Sequence, residues 1–184
     1  MMTRPMRGRM QRPQTISLIG MPGAGKSTVG RLLAQRTGLE FVDSDQLIEA
    51  RAGAGLQTIV DSRGFMALRA LDEQVVLDLP LRGRVVATGG SVIYSRRALQ
   101  RLHSAGPVIW LRVPLETLRA RIGTAPPRGI ANPPDSSLEQ IHAEREPLCA
   151  EAADFSVDAG GQDPGAVVDA ILAWLDASQT RPGP

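Results

Sequence analysis

The sequence predicts an α/β domain: a parallel sheet of five strands with helices on both faces. Two observations carry that expectation. Short apolar runs alternate with stretches of helical periodicity along almost the whole chain, and neither an internal repeat nor a linker divides it. The length agrees, because 184 residues with 42% hydrophobic and 22% charged side chains describe one ordinary globular domain.

The elements follow in order. Thr15 to Ile19 (TISLI) reads as a strand ending at Gly20, and Lys26 to Thr37 as a helix with Val29, Leu32 and Leu33 at helical spacing. Glu40 to Asp43 is a second strand, followed by helix from Gln46 to Ala50. A longer helix, Gly64 to Leu79, lines up Leu68, Leu71 and Val75. Arg84 to Thr88 is the third strand, stopped by Gly89-Gly90. A helix from Arg96 to His103 leads to the fourth strand, Pro107 to Val113, and Glu116 to Ile122 is helical again. Residues 123 to 137 hold four prolines, two glycines and an asparagine, and read as loop. Helix from Leu138 to Cys149, a strand Asp154 to Val157 and a last helix Pro164 to Ala177 complete the domain, with Trp110 and Trp174 expected in the core.

Charge is unevenly spread. Of 21 basic residues only Lys26 is lysine, and Arg4, Arg7, Arg9 and Arg12 lie in a proline-bearing tail with no acid among them. That tail, residues 1 to 13, is expected to be disordered and accounts for the basic pI of 9.3. The remainder has 17 basic against 19 acidic residues. A mildly acidic body with three Phe, two Trp and one Tyr is a poor nucleic-acid surface. Cys149 is the single cysteine, so no internal disulfide forms, and it is expected to be buried rather than reactive. His103 and His142 read as surface helix residues. No apolar run approaches membrane-helix length and no signal peptide precedes the first strand, so a cytoplasmic chain without a membrane partner is expected.

The chemistry begins at Gly20-Met21-Pro22-Gly23-Ala24-Gly25-Lys26-Ser27, which meets the phosphate-loop pattern G-x-x-x-x-G-K-[ST] at every position. An apolar strand precedes it and a helix starts inside it. Glycines let backbone N–H groups close on phosphate oxygens, the helix N-terminus adds its positive dipole end, Lys26 supplies a mobile charge for the β- and γ-phosphates, and Ser27 offers a hydroxyl to Mg²⁺. Asp43 and Asp45 close the second strand, where an open parallel sheet collects ligands. Either Asp43 assists the metal and Asp45 meets an acceptor hydroxyl, or the pair is an Asp-Ser-Asp turn capping the next helix. Arg69 and Asp72 share a helix face, and Thr88-Gly89-Gly90 is a place where backbone can approach a small ligand.

These residues resemble the shikimate kinase family, a small branch of the nucleoside-monophosphate-kinase-like P-loop group, over residues 14 to 177. Gly20 to Thr28 match its phosphate loop, including Gly23, Ala24, Gly25, Lys26, Ser27 and Thr28, and Asp43 and Asp45 match its Asp-x-Asp. Gly64, Arg69 and Asp72 partly meet its G-E-x-x-F-R-x-x-E stretch. Thr88-Gly89-Gly90-Ser91 stands for Thr-Gly-Gly-Gly, Arg128 for the lid arginine, and Arg145-Glu146-Pro147-Leu148-Cys149 for R-x-P-L-Y. The resemblance implies a three-layer P-loop kinase over residues 14 to 178, with a lid at about 123 to 135 that moves on nucleotide binding and a flexible end from 179 to 184. It implies ATP-dependent phosphorylation of the 3-hydroxyl of shikimate, in aromatic amino-acid biosynthesis, by a monomer that uses Mg²⁺ held by Ser27 and Asp43. Arg69 and Arg145 would hold the carboxylate, Asp45 the reacting hydroxyl, Gly89 and Gly90 the ring, Arg121 and Pro164 the adenine, and Arg128 the transferring phosphate.

Some positions depart from the pattern. Phe65 replaces an acid, Leu68 an aromatic, Asp72 a longer Glu, Ser91 a third glycine expected to touch the acceptor, and Cys149 an aromatic, while Gly129-Ile130 replace Pro-Leu after Arg128. Because these lie on the acceptor side, two other readings stay open: a kinase for another small polyhydroxy acid such as gluconate, and a non-catalytic ligand-sensing module on the same fold.

Overall fold

Five strands pair in parallel in the order β2-β3-β1-β4-β5: β1 (Thr15–Ile19), β2 (Glu40–Asp43), β3 (Arg84–Ala87), β4 (Val108–Arg112) and β5 (Phe155–Asp158). The structure is a computed structural model that describes residues 15–123 and 129–179. The expected tail, the centre of the expected lid with Arg128, and residues 180–184 lie outside the described residues.

The sheet is parallel because each strand returns through a helical crossover. Its strands are apolar on both sides because both faces are covered. Ile16 and Leu18 of β1, Val85 of β3 and Ile109 and Leu111 of β4 pack with Val29 and Leu33 of α1 (Lys26–Thr37) and Val168 and Ile171 of α8 (Pro164–Gln179). On the other face Ile19, Val86, Val108 and Trp110 meet Val76 of α4 (Phe65–Asp78), Leu102 of α5 (Arg96–Ala105) and Cys149 of α7 (Leu138–Ala152). Ile16, Leu18, Leu111 and their buried neighbours each contribute roughly 1.5–3 kcal/mol by leaving water. Trp110 is buried as expected, while Trp174 is half-buried and stacks on Phe155 at 5.0 Å between ring centres.

Local signals set the helix boundaries. Ser95 caps α5, and Ser137 and Gln140 form a reciprocal cap at the start of α7. The expected helix Gly64 to Leu79 begins one residue later, at Phe65, and a separate helix α3 (Leu56–Arg63) precedes it. Gly64, at φ 81° and ψ 161°, joins the two at a sharp angle that helical periodicity did not reveal. Together with α2 (Ser44–Ala52), these helices bury Ile48, Ile59, Leu68 and Val75 in a third cluster that also takes in Ala131. A single 3-10 turn, Val92–Tyr94, follows Ser91. The helix α6 (Leu115–Gly123) ends where residues 124–128 begin, and 129–137 run without regular structure.

This topology puts β1 at the centre, between strands reached in opposite directions. The loops leaving β1, β2 and β3 therefore open at one end of the sheet, outside its carboxyl edge, where an open α/β sheet forms its crevice.

Candidate active site

A cavity of about 380 Å³ occupies that crevice, within the range typical of small-molecule sites. The phosphate loop forms one wall, with Gly23, Ala24, Gly25, Lys26, Ser27 and Thr28 all lining it. Gly25 holds φ 91° at the start of α1, a left-handed turn that a side chain would strain. The Lys26 ammonium crosses the loop and donates to the carbonyls of Gly20 and Met21 at 2.9 and 3.0 Å. Burial holds it below the usual lysine range. Asp45 pulls in the opposite direction, and Arg145 adds to the lowering.

Asp43 caps the next helix, one of the two roles weighed from the sequence, and also meets Ser27. Its Oδ2 accepts the Ser27 hydroxyl proton at 2.6 Å, and its Oδ1 accepts the Asp45 backbone N–H at 3.1 Å, capping α2. Among the described residues no cluster of three or more His, Cys, Asp or Glu is built to hold a metal. Ser27 and Asp43 instead present two adjacent hard oxygens. That suits a small cation taking its other ligands from phosphate and water. Asp45 lines the same cavity.

At the far end of this crevice wall Arg121 donates to the carbonyls of Gly23 and Ala159, at 3.2 and 3.0 Å, and Pro164 opens α8 beside it. Arg121 thereby presents a planar guanidinium at the edge of the phosphate loop.

Two further arginines belong to this region, one on the cavity wall and one behind it. Arg145, on α7, is 1% exposed. Its Nη2 donates to the Asn132 side chain at 2.5 Å and its Nε lies 3.4 Å from the Tyr94 hydroxyl, whereas Nη1 has no hydrogen-bond partner among the described residues. Nη1 points at Gly90, so closely that a Cβ there would sit 2.7 Å away. Arg69 is not on the cavity wall itself. Its Nε donates to the carbonyl of Ala131, a wall residue, at 2.9 Å, and its guanidinium lies 3.7 Å from the centre of the Tyr94 ring and 5.2 Å from that of Phe65. Neither arginine forms an ion pair among the described residues.

The glycine pair divides its tasks. Gly90 lines the cavity. Gly89 faces inward instead, its N–H donating to the buried Ser44 hydroxyl at 2.7 Å and its missing side chain leaving room for Asp72. Asp72 is 1% exposed, and burial pushes its carboxyl up to about 6, against the Ser91 hydroxyl bond. The Ser91 side chain, expected to intrude where an acceptor sits, lines the cavity and donates its hydroxyl to Asp72 at 2.6 Å. Cys149 is buried as expected, which pushes its thiol up to about 11. His103 pairs with Asp154 and His142 with Glu146, both away from the cavity lining.

The arrangement thus juxtaposes a phosphate cradle, two carboxylates at the end of β2 and a buried arginine with a second, half-buried arginine behind it. The shikimate kinase family model matches residues 22–176. The chain belongs to the shikimate kinase family. It is 39% identical over 181 residues to the shikimate kinase of Paracidovorax citrulli, an alignment covering 94% of this chain and 98% of that one. Its structure is similar to shikimate kinase from Acinetobacter baumannii in complex with shikimate, with TM-score 0.82, 29% identity and coverage of 94% and 97%. Similarity to shikimate kinase from Aquifex aeolicus reaches TM-score 0.74 at 30% identity, covering 89% and 97%. As a member of that family the chain is an ATP-dependent kinase, and its phosphate loop lines this cavity. No helix among the described residues is long and apolar enough to cross a membrane.

Tyr94 and Asn132, which fix the two arginines, were not foreseen from the sequence. No motif marks them, and their only signal is proximity to motif residues on both sides.

Proposed function

We infer that this enzyme transfers the γ-phosphoryl group of ATP to the 3-hydroxyl of shikimate, yielding ADP and shikimate 3-phosphate. One observation carries the acceptor side. A fully buried guanidinium, Arg145, keeps an N–H without a partner among the described residues, set against Gly90 on the wall of the cavity that holds the phosphate loop. An uncompensated buried charge is costly, and a ligand carboxylate is the group that relieves it. A planar guanidinium can pair with a carboxylate through two parallel hydrogen bonds, and Arg69 stands ready nearby as the second cation.

In this assignment the loop N–H groups and Lys26 take the β- and γ-phosphates, whose charge restores the ammonium that burial disfavours. Ser27 and Asp43 would hold Mg²⁺, which when bound offsets the charge on the phosphate oxygens. Asp45 takes the acceptor hydroxyl as hydrogen-bond partner and receives its proton as the oxygen attacks Pγ. The bond from Pγ to the ADP oxygen breaks and ADP leaves with that electron pair. Arg121 and Pro164 border the adenine, and Arg128 is assigned to the transferring phosphate by the family resemblance. The family resemblance further assigns the activity to a monomer in the cytoplasm.

Incubation with ATP, Mg²⁺ and shikimate should give a single phosphomonoester. In the two-dimensional ¹H–³¹P spectrum its phosphorus should couple to the proton on carbon 3. Coupling to carbon 4 or carbon 5 instead would contradict the placement of Asp45.

A further inference from the structure

Two guanidinium groups that carry like charge stand on one tyrosine. The Arg69 carbon centre lies 3.7 Å from the Tyr94 ring centroid and that of Arg145 lies 5.5 Å from it. The three side chains come from three elements, α4, α7 and the 3-10 turn, so their meeting is a product of the tertiary fold. Tyr94 is itself held against the acceptor loop, its N–H donating to the Ser91 carbonyl at 3.0 Å.

An acid at this position would also draw the arginines together, but it would occupy the in-plane N–H groups that a ligand carboxylate needs. An aromatic face attracts a guanidinium through its π-electrons and leaves the edge of the cation free. The hydroxyl adds direction. With Arg145 Nε on the Tyr94 oxygen and Nη2 on Asn132, the rotation of the guanidinium is set, and Nη1 is the N–H left to face Gly90. Phe65, which stands where the family pattern has an acid, gives Arg69 a second aromatic contact at 5.2 Å and takes none of its N–H groups, of which Nε goes to the Ala131 carbonyl.

We propose that Tyr94 is a positioning residue for the acceptor carboxylate, holding Arg69 and Arg145 together by its ring and aiming Arg145 by its hydroxyl. The inference rests on the shikimate reading of the site, and the two fail separately. If the wild-type enzyme turns over gluconate but not shikimate, the shikimate reading falls. The Tyr94 series then runs on gluconate, because both acceptors carry a carboxylate.

The test compares Tyr94→Phe and Tyr94→Leu by steady-state kinetics with each substrate varied in turn. Tyr94→Leu should raise the acceptor KM about tenfold or more while leaving the ATP KM unchanged, and Tyr94→Phe, which keeps the ring, should stay within about threefold of wild type. Tyr94→Met, whose unbranched side chain adapts to irregular gaps, supplies the same comparison where Tyr94→Leu is unstable. An unchanged acceptor KM in the ring-less variants overturns the proposal. So does an ATP KM that rises in step, which would mark a general loss of structure, or a Phe variant as impaired as the Leu variant, which would deny the ring its role.

Discussion

Ser91 donates its hydroxyl to the Asp72 carboxylate across 2.6 Å, joining two of the positions at which this chain departs from its family's pattern. Both are buried, and the carboxylate fills the space left by the absent side chain of Gly89. The shorter acid and the added hydroxyl therefore compensate each other, on the wall of the cavity that both residues line. Ser91→Gly should destabilise the fold by roughly 1–3 kcal/mol, because it strips a buried carboxylate of its donor. Asp72→Glu combined with Ser91→Gly should cost less than the sum of the two single changes. Urea unfolding of the four proteins measures this, and strict additivity would separate the pair.

Asp72 also sets a pH dependence of stability. Its folded-state value of about 6 lies above the ordinary 3.8, so its contribution favours the folded protein below about pH 4 and is lost as the pH rises through 6. The full swing is on the order of 3 kcal/mol. Asp72→Asn removes it, so the variant should gain stability relative to wild type as the pH climbs from 4 to 7. Thermal melts of the two proteins across that range report the difference, and a constant offset would contradict the assignment.

Lys26 behaves oppositely on binding. Burial lowers its ordinary proton affinity, and phosphate oxygens arriving at the loop should raise it again. Nucleotide binding under alkaline conditions should therefore take up protons, visible in calorimetry as a binding enthalpy that varies with the ionisation enthalpy of the buffer. No such variation would mean that Lys26 is already fully charged. Lys26→Ala should abolish transfer to every acceptor.

Much of this site was legible in the sequence, and the part that was not has a definable cause. Residues 20–28 announce themselves because phosphate binding is done by backbone, and only a narrow set of residues permits that backbone. Strand and helix boundaries for β1, α1 and β2 followed from apolar spacing and from the glycines at 25 and 38. The second helix of the α3–α4 pair was seen and the first was not, because Leu56–Arg63 buries only Ile59 and so carries little periodicity. The sequence marked Ser91 as a side chain added beside the acceptor but did not reveal its partner, since a one-dimensional pattern cannot show that a carboxylate 19 positions earlier reaches its hydroxyl. Tyr94 and Asn132 act by touching arginines on distant elements, a relation that exists only after folding.

Arg145→Lys should raise the acceptor KM by about 10- to 100-fold, or about 1.4–2.8 kcal/mol, because an ammonium cannot reproduce the fork of donors. The ATP KM should not change. Gly90→Ala should have a similar signature, since its methyl group would crowd Arg145 Nη1 at 2.7 Å and Pro22 at 3.3 Å. Acceptor-varied and ATP-varied kinetics distinguish these effects, and equal changes in both constants would move the carboxylate seat elsewhere.

The assignment of shikimate as acceptor is tested most directly by coupled ADP release from the wild-type enzyme with ATP, Mg²⁺ and, in separate reactions, shikimate, quinate and gluconate. Shikimate should be turned over well above the acceptor-free background and with the highest kcat/KM of the three. Shikimate turnover no greater than background would contradict the account, with or without activity on gluconate.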